Sequence, residues 1–409
     1  MKNLQKVIGV IFSFMIGTAL FAKAPFNISD ADYKLMMKES LVSTGNNYRL
    51  KCVLEKMKSG EKVWVAALGG SVTEGAGPEK FTDGYAYQFF RMLQKKYTPN
   101  EGKNLFFNNA GLSGTPSLLG MIRYQADVVE VCGGNPDLLI VEFAVNDEGN
   151  ETMQKSFEAI IRKALEANPK TAVIALYNAA EYGNTMAQKK PVADYYQIPQ
   201  VNILKIVNDA ISSKKIKKEE FFTDNVHPTL NGHTLVMDCL INLCETVDNA
   251  QIDKPALIPE KLYKNPGFDN FVRVFGDDKN IKISKGAFTA KDNNTQSLKK
   301  TNKGDFPENW HKNQGSKNDT FVVEADCKNF LLTYKVQGSW LTEVFGKADI
   351  YVDGKLFKTV EGNAKGGWNN NETLLLVNDV KSGKHKIEVK MASGDEKKAF
   401  TIVAMGYSK

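Results

Sequence analysis

The sequence predicts an α/β unit on a parallel sheet, followed by an all-β unit of the sandwich or jelly-roll kind. Between Val63 and Val247, short β-rich runs alternate with amphipathic helical segments, which is the pattern of βαβ units. Beyond about Gly267 helical periodicity fades, and β-branched or aromatic runs recur between Gly, Asn, Asp and Lys clusters. Within that stretch, Val352-Asp353-Gly354-Lys355 signals a tight hairpin, because Asp-Gly accepts the positive φ the turn requires.

The elements follow in order. Lys2 and Lys6 precede an apolar run from Val7 to Ala22, then small residues at Ala22 and Ala24. That is the order of a secretory signal over residues 1–24, and it places the protein outside the cell or in the periplasm or cell envelope. An uncleaved anchor is the alternative, although the run falls short of the roughly 20 residues of a membrane span. The α/β unit is expected over 25–250, with strands at Val63 to Leu68, Asn104 to Asn109, Asp137 to Ala144 and Thr171 to Tyr177. Helices are expected at Tyr85 to Tyr97, Ser117 to Val131, Met153 to Ala167 and His233 to Val247. A connector over 251–266, with Pro255, Pro259 and Pro266, leads to a β unit over 267–409. Its strands are expected at Thr320 to Ala325, Asn329 to Val336, Ala348 to Val352, Lys384 to Met391 and Ala399 to Met405.

Composition excludes several classes of function. The 409 residues carry a formal charge of +6, and without Lys2, Lys6 and Lys23 there are 50 basic against 47 acidic residues. Such balance implies no nucleic-acid partner. Five cysteines, an odd and scattered set without a C-x-x-C pair, make neither a disulfide framework nor a zinc site. Only His227, His233, His311 and His385 can serve as imidazole bases.

Four blocks at strand ends carry chemistry. Leu68-Gly69-Gly70-Ser71-Val72-Thr73 presents a serine through two glycines at the carboxyl edge of the sheet, where a nucleophile meets substrate. In Asn109-Ala110-Gly111-Leu112-Ser113-Gly114 a glycine lets a substrate oxygen approach a backbone donor. Phe143-Ala144-Val145-Asn146-Asp147 offers an asparagine amide to the same oxygen. Thr223-Asp224-Asn225-Val226-His227-Pro228 sets a carboxylate three residues before an imidazole, so that it can orient the ring. His233 lacks such a partner and reads as a helix-start or packing residue.

Together these blocks resemble the SGNH, or GDSL-type, hydrolase family. The resemblance implies a flavodoxin-like three-layer fold, Ser71 as nucleophile, Asp224 and His227 as acid and base, and an oxyanion hole of Ser71, Gly111 and Asn146. It implies no cofactor and no metal. Gly70 stands where the family has Asp, and Ala144 replaces a glycine, so the sequence is similar to a Gly-Gly-Ser-Val-Thr subgroup. The Gly114-Thr115-Pro116-Ser117 turn, Arg123 and Tyr196-Gln197-Ile198-Pro199 look like that subgroup too. Arg123 can bind an anionic or hydroxyl-rich substrate or pair ionically on a helix surface. Trp310, Trp340 and Trp368 can stack on sugars or pack the sandwich. The expected activity is a short-chain, acetyl ester hydrolysis on a carbohydrate or small ester; an O-acetyltransferase on a cell-envelope glycan and a non-catalytic glycan-binding protein are the alternatives.

Overall fold

The computed structural model describes residues 24–409 apart from 169, 269, 277, 279, 297–305 and 339–341. Residues 1–23 of the expected leader and Trp340 lie outside the described residues. Among the described residues, no helix is long and apolar enough to cross a membrane.

The α/β unit is built on six strands: β1 (Leu41–Ser43), β2 (Val63–Gly69), β3 (Leu105–Gly111), β4 (Leu138–Glu142), β5 (Ala172–Tyr177) and β6 (Gln200–Asn202). Their order in the sheet is β1-β6-β5-β4-β2-β3, parallel throughout except for the edge strand β1, which runs antiparallel to β6. β2, β4 and β5 are buried on both faces, so they read as continuous apolar runs rather than alternating ones. Helices cover both faces. Val63, Val65 and Ala67 pack with residues of helices Asp30–Ser40, Tyr48–Lys58, Tyr85–Tyr97 and Leu230–Asn249. Ala66 and Leu68 face helices Ser117–Tyr124, Glu151–Ala167 and Met186–Tyr195. The result is the expected three-layer parallel fold. The sequence did not reveal β1 and β6, because three residues are too few to show a period.

The connector is stitched down. Asn47 N–H donates to the Asp253 carboxylate at 2.8 Å, and Asp253 N–H returns a bond to Asn47 Oδ1 at 2.8 Å. Farther along, Tyr263 N–H donates to Glu158 Oε2 at 3.1 Å.

The second unit contains β7 (Val272–Arg273), β8 (Ile281–Ser284), β9 (Trp310–Lys312), β10 (Phe321–Val336), β11 (Lys347–Val352), β12 (Lys355–Glu361), β13 (Asn370–Met391) and β14 (Phe400–Ser408), all antiparallel. Two strands are long enough to serve both layers. Phe321 to Cys327 of β10 pairs with the end of β13 and with β8, whereas Asn329 to Val336 pairs with the start of β13 and with β14. A register shift between Cys327 and Asn329 marks the fold-over. The stretches Thr320 to Ala325 and Asn329 to Val336, expected as separate strands, are therefore one. Phe321, Val323, Ile350, Ile387 and Val389 of one layer meet Phe330, Leu332, Phe400 and Ile402 of the other, giving the expected sandwich core.

The outer face of β10 and β14 is apolar as well. Leu331, Val403 and Ala404 share a buried cluster with Leu119 and Ile122 of helix Ser117–Tyr124 and with Phe268, Phe271 and Phe306. The β unit is thus packed onto the α/β unit beside the carboxyl ends of its parallel strands.

Candidate active site

β2 ends in Gly69-Gly70 and turns at once into a four-residue helix, Ser71–Glu74. Gly70 is required there: a Cβ would lie 2.0 Å from Asn146 Oδ1, so the close approach of the asparagine block depends on the missing side chain. Behind Ser71, Thr73 Oγ1 donates to Glu142 Oε2 at 3.1 Å and shares a 2.8 Å bond with the Tyr85 hydroxyl. Burial pushes the Glu142 carboxyl up to about 7, against the pull of the Thr73 hydroxyl.

The loop before helix Leu230–Asn249 folds around Asp224. Its Oδ1 accepts the N–H groups of Val226 and His227, both at 2.8 Å, a side-chain turn typical of aspartate. Its Oδ2 lies 2.6 Å from His227 Nδ1, and His227 Nε2 lies 2.8 Å from Ser71 Oγ. Burial opposes ionisation of Asp224, but hydrogen bonds from the His227 ring and from the His227 and Val226 backbone hold the carboxyl below its ordinary value. The structure thus brings Ser71, His227 and Asp224 into one line. His227 is half-buried and Ser71, at the carboxyl end of β2, is buried at 6% exposure.

His233 is separate from this line. Its Nδ1 accepts the Tyr85 N–H at 3.0 Å, and its Nε2 faces the Ala76 carbonyl at 3.0 Å, which puts the ring proton on Nε2. Burial lowers it to about 4, so it is a neutral packing residue. In the β unit, His311 bonds to Thr401 and His385 to Asp353.

The donors around Ser71 differ from expectation at one position. Gly111 N–H is already bound to Asn109 Oδ1 at 2.9 Å, and its Cα is buried against the backbone of Thr73 and Glu74. It has no hydrogen left for a substrate oxygen. Along the same turn, Leu112 N–H goes to the Gly69 carbonyl, Ser113 N–H to Glu74 and Thr115 N–H to the Leu112 carbonyl. Gly114 N–H has no bond to any described residue, and φ at Gly114 is +68°, which favours glycine. Gly114 replaces Gly111 as the candidate backbone donor. The Asn146 amide stands against Gly70, beside Ser71.

Two more expectations are corrected. Arg123 is fully buried: Nε donates to Asp127 Oδ2 at 2.6 Å and Nη2 to the Ala110 carbonyl at 2.9 Å. It braces β3 from behind and meets no solvent, so it cannot bind substrate. Trp310 is 3% exposed and packs on Phe321 in the sandwich core, so it is no sugar platform. Trp368 is 41% exposed, and its ring edge comes within 3.1 Å of where a Gly114 Cβ would stand.

Residues 67–235 match the sequence profile of the GDSL-like lipase/acylhydrolase family. The α/β unit belongs to this family. The GDSL-like unit makes the protein a serine ester hydrolase, and the oxyanion turn, the asparagine block and the Asp224 loop all fall inside the matched span. Two solved structures align over both units. One, described as a two-domain esterase active on acetylated mannans and co-crystallized with mannopentaose, has a TM-score of 0.78 at 24% identity and covers 91% of this chain and 98% of its own. The other, a two-domain esterase active on acetylated mannans, has a TM-score of 0.77 at 24% identity and covers 91% and 99%. They show that the GDSL-like unit and its β-sandwich occur together as one shared fold. No curated protein matches the sequence.

Several residues of the site carry no signal in the sequence: Glu142, Glu74 and Gln296. Each acts through a partner distant along the chain.

Proposed function

We propose that the protein is an exported esterase that removes acetyl groups from a carbohydrate through an acyl-enzyme on Ser71. The observation that carries the reading is the continuous line from Asp224 through His227 to Ser71 Oγ. Ser71 Oγ attacks the acetyl carbonyl carbon and passes its proton to His227 Nε2, while Asp224 stays ionised and steadies the imidazolium. The carbonyl oxygen becomes an oxyanion. Ser71 N–H, Gly114 N–H and the Asn146 amide are the donors offered to it, and each such bond is worth about 3 kcal/mol of barrier. Collapse expels the sugar oxygen, which takes the proton from His227. Water then attacks acetyl-Ser71 with His227 as base, and acetate leaves as Ser71 Oγ recovers its proton.

Three observations support the carbohydrate. Solved two-domain esterases of the same architecture are described as acting on acetylated mannans. The half-exposed Trp368 ring stands beside the Gly114 turn and offers an apolar face of the kind that stacks on sugars. The apolar leader that supports export would bring the enzyme to external polysaccharide.

The test is acetate release from acetylated mannan, xylan, pectin and peptidoglycan fragments, with an aryl acetate alongside. Release from at least one glycan is expected from the wild type and none from Ser71→Ala. Hydrolysis of the aryl ester alone would reject the carbohydrate, and unchanged turnover by Ser71→Ala would reject the acyl-enzyme.

A further inference from the structure

A strap of the β-sandwich reaches the catalytic turn. Its base is a buried ionic knot: Lys335 Nζ lies 2.5 Å from Asp292 Oδ2, Thr401 Oγ1 donates to the same oxygen at 2.7 Å, and Asn309 Oδ1 accepts Asp292 N–H at 2.8 Å. Asp292 and Lys335 are both more than nine-tenths buried. Asp292 Oδ1 then accepts Asn294 N–H at 2.8 Å, and the Asn294 carbonyl accepts Lys335 Nζ at 3.2 Å. Two residues on, Gln296 Nε2 donates to the Ser113 carbonyl at 2.9 Å.

The acceptor is what matters. The Ser113 carbonyl and the Gly114 N–H belong to one peptide plane, and in a trans peptide they point in opposite directions. Holding the carbonyl on one side therefore aims the N–H on the other. The hydrogen bond also polarises the amide, which strengthens its N–H as a donor. The rest of the turn is held as well: Glu74 Oε2 accepts both Ser113 N–H and Ser113 Oγ, and Glu74 ends the helix that begins at Ser71. The Trp368 ring closes the space beside Gly114.

We propose that Gln296, from the β-sandwich, is a positioning residue for the chemical step: it orients the Ser113–Gly114 peptide so that Gly114 N–H faces the oxyanion. The sandwich then completes the hydrolytic site and acts even on an ester that carries no sugar. This rests on the esterase reading above. It differs from a glycan-binding role, which would affect only substrates long enough to reach the sandwich.

The test uses the full chain and an aryl acetate, comparing wild type with Gln296→Ala and with Gln296→Glu, which keeps the shape but replaces the donor by an acceptor. Both variants are expected to lose about 10-fold in kcat with KM unchanged, since the Gly114 N–H that Gln296 aims bonds to the oxyanion only in the transition state. Affinity for a boronic acid that mimics the tetrahedral intermediate should fall by the same factor. Where Gln296→Ala lowers the melting temperature, the isosteric Gln296→Glu decides. An unchanged kcat on the aryl ester, a rise in KM alone, or a loss confined to acetylated glycan would overturn the proposal. Absence of aryl-ester turnover in the wild type would instead reject the esterase reading.

Discussion

Ser71 and His227 stand 156 positions apart in the chain, yet Ser71 Oγ and His227 Nε2 are 2.8 Å apart across the carboxyl edge of the parallel sheet. Neither side chain reaches the other by its own flexibility. The serine is fixed by the Gly69-Gly70 turn, and the histidine by the Asp224 loop.

That geometry predicts the effect of removing the orienting carboxylate. Asp224→Asn should lower kcat on an aryl acetate by on the order of 10⁴-fold while leaving the melting temperature nearly unchanged, because Asp224 is largely exposed. Steady-state kinetics with thermal unfolding checks both parts; a loss under tenfold would show that His227 needs no partner.

The asparagine block predicts a smaller loss. Asn146→Ala should reduce kcat by roughly 10²–10³-fold at similar KM, as removal of one oxyanion donor does elsewhere. Gly111→Ala should behave differently, since its Cβ would meet the Glu74 backbone nitrogen at 2.2 Å. Its expected signature is a lower urea midpoint.

Arg123 predicts a change in stability. Arg123→Met leaves Asp127 buried without its cation and should cost about 3–5 kcal/mol in urea unfolding. Adding Asp127→Asn should recover part of that loss. A selective rise in KM with intact stability would restore Arg123 as a substrate contact.

Two buried groups give opposite pH slopes. His233 titrates near 4 in the folded protein against an ordinary 6.5, so the unfolded chain binds the extra proton and stability falls as pH drops through that window. Glu142 titrates near 7 against an ordinary 4.5, so its contribution is complete below 4.5 and is lost as pH rises through 7. Each effect is on the order of 3 kcal/mol. Between pH 4.5 and 6.5 they oppose each other in the wild type. Relative to wild type, Glu142→Gln should make stability rise with pH across that window, and His233→Gln should make it fall; parallel urea curves for all three proteins would refute the assignment.

Much of this site is written in the sequence, and the part that is not has a common cause. Ser71, Asn146, Asp224 and His227 are legible because each ends an apolar run or precedes a helix, so neighbours along the chain declare the position. Gly111 misleads because availability of its N–H depends on the Asn109 side chain. Arg123 looks like a surface cation, since a pair four residues apart reads the same on an exposed or a buried helix face. Gln296 is invisible, because its acceptor is a carbonyl 183 positions away. In the sandwich, the strand segments are legible, but Asp326-Cys327-Lys328-Asn329, which reads as a break between two strands, is a bulge inside the single strand β10.

The apolar layer of Leu119, Ile122, Leu331 and Val403 has a consequence for how the two surfaces act on a shared ligand. With the connector stitched down and this layer shut, the sandwich has no tether on which to swing. Its strap meets the catalytic turn at one fixed distance, so a ligand touching both gains from preorganisation, with no search volume to pay off through avidity. Lengthening the connector would then leave turnover unchanged. A single charge at Val403 would convert a jig into a leash.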